Sequence, residues 1–142
     1  MFARVVLTAE AHAAIADAVR AAWPCEMAAV LGGHEDLSTA RVDTVVCHAE
    51  RDLRPNAFSL DPVAFARAEY ALRRAGRRWL GFAHSHPNGT AVPSVRDRAE
   101  LWRGCVQLIG ASDGMLVTVG AFELCGDPVR VTALPLAVEE GS

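Results

Sequence analysis

The chain has 142 residues, of which 51% are hydrophobic and 22% charged, a globular composition at the length of one domain, residues 1–142. A net charge of −3 with no long run of like charge argues against a nucleic-acid surface. No apolar stretch is long enough to cross a bilayer, and four cysteines without a CxxC pair argue against a disulfide framework. With no charged leader before a long apolar segment, the expected location is cytoplasmic.

In chain order, residues 4–7 predict a short strand, and Thr8 is a plausible N-cap for a helix. Ala11, Ile15, Ala18 and Ala22 mark the buried face of that helix, which Pro24 ends. Residues 27–31 predict a buried strand, with Gly32-Gly33 as its turn, and residues 41–47 another strand. Residues 51–58 have no period and read as a loop. Asp61-Pro62 opens a second helix whose buried face is Phe65, Ala68, Leu72 and Ala75, with Gly76 at its end. The basic cluster Arg73, Arg74, Arg77 and Arg78 reads as a solvated helix end.

Residues 79–83 predict a strand running into His84-Ser85-His86-Pro87. Ser94 could cap a short helix reaching about residue 102. Residues 105–110 and 115–124 predict two strands joined by a turn at 112–114. Residues 129–138 predict a final edge strand interrupted by Pro135. Cys47, Cys105 and Cys125 fall in strand-like runs and read as small buried hydrophobes. The order predicts an α/β fold, a mixed sheet with helices packed on it.

The chemistry gathers in residues 84–97. Residues i and i+2 of an extended chain point to one side, so His84 and His86 can face one point. Asp97, one turn into the helix opened by Ser94, can bring a carboxylate back to it. Imidazole and carboxylate both suit zinc, and three protein ligands leave the fourth tetrahedral position for water, the arrangement of a catalytic site. Each part has a plainer reading. His-x-His is a common surface pair, and an acidic residue in a first helical turn suits the dipole alone. Glu26, just before the strand at 27–31, is either an exposed strand-start residue or a general base.

His84-Ser85-His86, then seven residues, Ser94, then two residues, Asp97, resembles the JAMM motif of MPN-type metalloproteases. Pro24-Cys25-Glu26 followed by Met27-Ala28-Ala29-Val30-Leu31-Gly32 resembles the segment that carries the glutamate of that family. Met27-Ala28-Ala29 departs from the Cys-Gly that small members often carry there. The resemblance implies one zinc per chain on His84, His86 and Asp97, and Glu26 as the general acid/base. It also implies that Ser94 positions the water or stabilises the oxyanion. The implied fold is a cytidine-deaminase-like mixed sheet flanked by helices. The implied substrate is a peptide or isopeptide bond after the C-terminal Gly-Gly of a ubiquitin-like or sulfur-carrier protein.

Two other functions fit parts of the pattern. One is a RadC-like module, although that group carries Asn between its histidines and an N-terminal DNA-binding segment. The other is a scaffold MPN module without proteolytic role, which would not need the full ligand set. The sequence predicts no nucleic-acid or membrane partner. It leaves the oligomeric state open, a homodimer included.

Overall fold

The structure is a computed structural model, and it describes residues 1–48, 61–87 and 89–141. The loop expected at 51–58 lies outside the described residues. Strand β1 (Arg4–Leu7) leads into helix α1 (Ala9–Ala22), whose first turn is closed by the Thr8 hydroxyl accepting from the Ala11 N–H at 3.0 Å. Ala11, Ile15, Ala16 and Val19 are its buried residues. Ala18 and Ala22, expected on that face, are half-buried against the same core.

Strand β2 (Ala28–Asp36) does not stop at the glycines. Gly32-Gly33 lies inside the strand, where the register with β3 (Thr39–Cys47) shifts. A side chain at Gly33 would put its Cβ 2.0 Å from the Arg41 carbonyl oxygen, so the glycine serves close backbone approach. The reversal is made instead by Leu37 and Ser38, both left-handed at φ 48° and 66°. Two consecutive positive φ values are what a two-residue hairpin requires.

Helix α2 (Pro62–Arg74) is capped by Asp61 and followed by Gly76 at φ 73°. It buries Ala64, Ala68 and Leu72 and half-buries Phe65, whereas Ala75 is exposed because it already lies at the C-cap. Strand β4 (Arg78–Pro87) runs unbroken through the histidines. Helix α3 (Val95–Glu100), strands β5 (Val106–Ser112) and β6 (Val117–Cys125), and the pair β7 (Arg130–Leu134) and β8 (Leu136–Val138) complete the order. The basic cluster is partly paired: Arg73 with Glu69, Arg77 with Asp43, and Arg78 with Glu35.

The strands form one mixed sheet in the order β7-β6-β5-β4-β2-β3-β1-β8. Pairs β4/β5, β1/β3 and β1/β8 are parallel. The final strand expected at 129–138 is two strands on opposite edges of this sheet. Pro135 alone separates them, and its carbonyl accepts the Val5 N–H at 2.9 Å. One residue cannot span eight strands spaced about 4.8 Å apart. The sheet therefore curls until its edges meet at Pro135.

Helix α1 packs on one face, where Ile15 and Val19 join Leu7, Leu31, Leu80 and Leu108. Helix α2 covers part of the other face, where Leu72 joins Val30 and Phe82. On that second face Phe65, Trp79, Phe82 and Trp102 form a four-ring cluster with centroids 5.1–5.8 Å apart. Of the cysteines expected to be buried, Cys105 is, and burial pushes its thiol up to about 12, where it is protonated and inert. Cys47 is exposed and Cys125 half-buried because both stand at strand ends.

Candidate metal centre

Phe82, His84 and His86 share one face of β4 by alternation, the face that carries the aromatic cluster. β4 lies between β2 and β5, with His84 opposite Ala28 on one side and Ile109 on the other. His84 thus lies within both ladders, whereas His86 is paired with β5 alone, opposite Ala111. A functional pair on an inner strand is held more precisely than one on a loop.

Asp97 arrives through a capping box. The Ser94 hydroxyl accepts from the Asp97 N–H at 3.0 Å, and Asp97 Oδ2 accepts from the Ser94 N–H at 2.9 Å. The same carboxylate faces the histidines, with Oδ1 3.2 Å from His84 Nε2 and Oδ2 2.9 Å from His86 Nε2. The two Nε2 atoms are 3.1 Å apart. Ligands at about 2.0–2.1 Å around a tetrahedral zinc lie roughly 3.3 Å from one another. Three donors already at 2.9–3.2 Å thus fit a single small cation, and these residues form a metal-compatible group among the described residues.

The close approach of these groups shifts both Asp97 and His86. Burial pushes the Asp97 carboxyl up, but hydrogen bonds with His84 and His86 and the Ser94 N–H outweigh it, and the group sits well below the usual carboxylate range. His86 is raised, first by its hydrogen bond to Asp97, against a lowering by burial. His86 Nδ1 lies 2.8 Å from the Thr90 carbonyl, to which its N–H donates, leaving the Nε2 lone pair for the centre. Nothing in the sequence singles out Thr90, because it acts through its backbone. Gly89 lies close beneath, where a Cβ would come within 2.8 Å of His86 Cβ.

Glu26 is exposed, so its carboxylate carries little desolvation cost. Continuing the β2/β4 register from Ala28↔His84 sets Glu26 beside His86, and its charge contributes to the raised His86 value. Ser94 Oγ accepts as a cap while its O–H remains able to donate. The five expected residues therefore converge at one end of the sheet. Two recesses open near this end, beside Glu26 and beside Gly89. One of 450 Å³ includes Glu26, Cys25, Cys47 and alanines of α1. The other, of 460 Å³, lies between Gly89 and the β5–β6 turn.

The chain is similar to known proteins over most of its length. Residues 8–124 match the family described as prokaryotic homologs of the JAB domain. The desampylase of Haloferax volcanii is 37% identical over 117 residues, 82% of this chain and 80% of that protein. A probable TtuB-protein conjugate cleaving protease of Thermus thermophilus is 43% identical over 60 residues, 42% of this chain and 40% of that one. The solved JAB1/MPN domain protein of Archaeoglobus fulgidus superposes with a TM-score of 0.61 at 18% identity, covering 96% of this chain and 97% of that one. The mixed sheet with flanking helices is thus the JAB1/MPN fold. The chain belongs to the prokaryotic JAB family, the small prokaryotic branch of the JAMM/MPN proteins.

Proposed function

We propose that this chain is a zinc-dependent isopeptidase that cuts the amide bond following the C-terminal Gly-Gly of a ubiquitin-like or sulfur-carrier protein. The observation that carries the reading is the convergence of His84 Nε2, His86 Nε2 and Asp97 on one point, with Glu26 close to His86. Zinc held there would supply a Lewis acid for the scissile carbonyl and a site where water loses its proton near neutral pH.

Glu26 takes the proton of the attacking water and returns it to the leaving amine. Its exposure lets it move between the two while the backbone stays fixed. The Ser94 hydroxyl donates to the carbonyl oxygen as charge develops there. Asp97 and Thr90 hold His86 in one tautomer. Glycine at the cut keeps side chains clear of the centre. The names of the Haloferax and Thermus relatives support a protein-conjugate substrate. The complete ligand set weighs against a scaffold module. No helix among the described residues is long and apolar enough to cross a membrane.

The test compares a ubiquitin-fold carrier joined through Gly-Gly to an acceptor lysine with the same carrier bearing two bulky residues there. The protein is zinc-loaded and its metal content measured. Cleavage after Gly-Gly alone, with one zinc per chain, is expected. Equal cleavage of both, or cleavage without bound metal, overturns the reading.

A further inference from the structure

Ser85 stands between two candidate ligands yet points to the opposite face of β4. It is 1% exposed. Its Oγ accepts the Met27 N–H at 2.8 Å, and its own N–H donates to the Met27 carbonyl at 3.2 Å. The regular β2/β4 ladder ends one step earlier, at Ala28↔His84. In a continued antiparallel ladder both bonds of the next pair would be backbone to backbone. Here the serine hydroxyl replaces one carbonyl as acceptor, so the ladder is prolonged by one step on a side chain. Glu26 is the next residue outward, exposed and past the end of β2.

We propose that Ser85 is a positioning residue that fixes Glu26 over the metal face by anchoring the Met27 backbone. The inference rests on Glu26 being the proton carrier. Met27 is buried at 5% exposure, so removing the hydroxyl leaves its N–H without that acceptor. The backbone then loses the bond that holds Met27 at this place, and a shift of Met27 carries Glu26 with it. A misplacement of about 1 Å at a reacting group can lower the rate about 10²-fold.

Ser85→Ala is compared with wild type and Glu26→Ala on the carrier conjugate, with metal content and melting temperature measured. Expected are a kcat about 10²-fold lower, an unchanged KM and a full complement of metal. Adding Ser85→Ala to Glu26→Ala should cost nothing more, because the position of an absent carboxylate no longer matters. Full turnover by Ser85→Ala, or an equal fractional loss in the Glu26→Ala background, overturns the inference. Should Ser85→Ala not fold, the near-isosteric pair Ser85→Thr and Ser85→Val decides. Thr keeps the acceptor and should stay active, and an equally active Val refutes the role. Hydrogen exchange at the Met27 amide in the metal-free protein gives a readout independent of activity. It should accelerate in Ser85→Ala, and unchanged exchange overturns the anchoring. Full activity of Glu26→Ala would instead refute the proposed function, which separates the two failures.

Discussion

Among the site residues, the two that bear opposite pKa shifts set opposing pH demands. His86 is raised above its unfolded value, so its contribution to stability is complete below about pH 6.5 and is lost as pH climbs through the raised value. Asp97 is depressed, so its contribution is present above about pH 3.8 and is lost as pH falls toward the lowered value. The metal-free protein should therefore draw most from this pair in mild acid. Zinc needs the imidazoles deprotonated and should bind better as pH rises. We expect the metal-free melting temperature to fall between about pH 6 and pH 8, and the stabilisation by added zinc to grow over the same interval. His86→Gln should flatten the metal-free trend, and an unchanged trend in that variant would sink the assignment.

Two substitutions separate chemistry from architecture at the same scale. Glu26→Ala should keep zinc and lose about 10²–10⁴-fold in turnover, and loss of metal would show that Glu26 is a ligand. Ser94→Ala removes a helix cap and, with it, the proposed oxyanion donor. Oxyanion donors are worth about 2.7–4 kcal/mol of barrier, whereas caps are worth about 1 kcal/mol of stability. Turnover that falls by more than tenfold beside a modest melting change supports the donor role. A melting change alone leaves Ser94 as the cap that delivers Asp97.

Among the elements, those with side-chain punctuation were legible in the sequence. Thr8, Asp61 and Ser94 cap α1, α2 and α3 as read, because each cap is a local hydrogen bond between residues three apart. The hairpin between β2 and β3 was misread for the opposite reason. Gly32-Gly33 looks like a turn but serves close packing, while the real turn is made by Leu37 and Ser38, which carry no turn signature. A left-handed non-glycine residue costs roughly 1–2 kcal/mol. Leu37→Asn with Ser38→Gly suits the positive φ values better. It should raise stability by about 1 kcal/mol, or the melting temperature by about 3 °C, with activity unchanged. A lower melting temperature would mean that the exposed Leu37 packs usefully. The convergence of His84, His86 and Asp97 could be expected from spacing, whereas the backbone contacts of Thr90 and Ser85 could not. Their roles depend on which backbone groups the fold sets within reach.

At the scale of the whole molecule, the alternation of helices and strands pointed to a mixed sheet but not to its closure. Pairing of β1 with β8 joins residues about 130 positions apart, and no local pattern encodes such a contact. Val5 N–H reaches Pro135, and Glu139 N–H reaches Leu7. This seam gives synthesis a direction that matters. During synthesis β1 must wait, one edge unpaired, until residues 135–139 emerge. Long-range pairings of this kind are slow to form and leave exposed edges open to other chains meanwhile. Until this seam closes, the aggregation hazard lies along the open edge of β1, and residues 135–139 remove it by covering that edge.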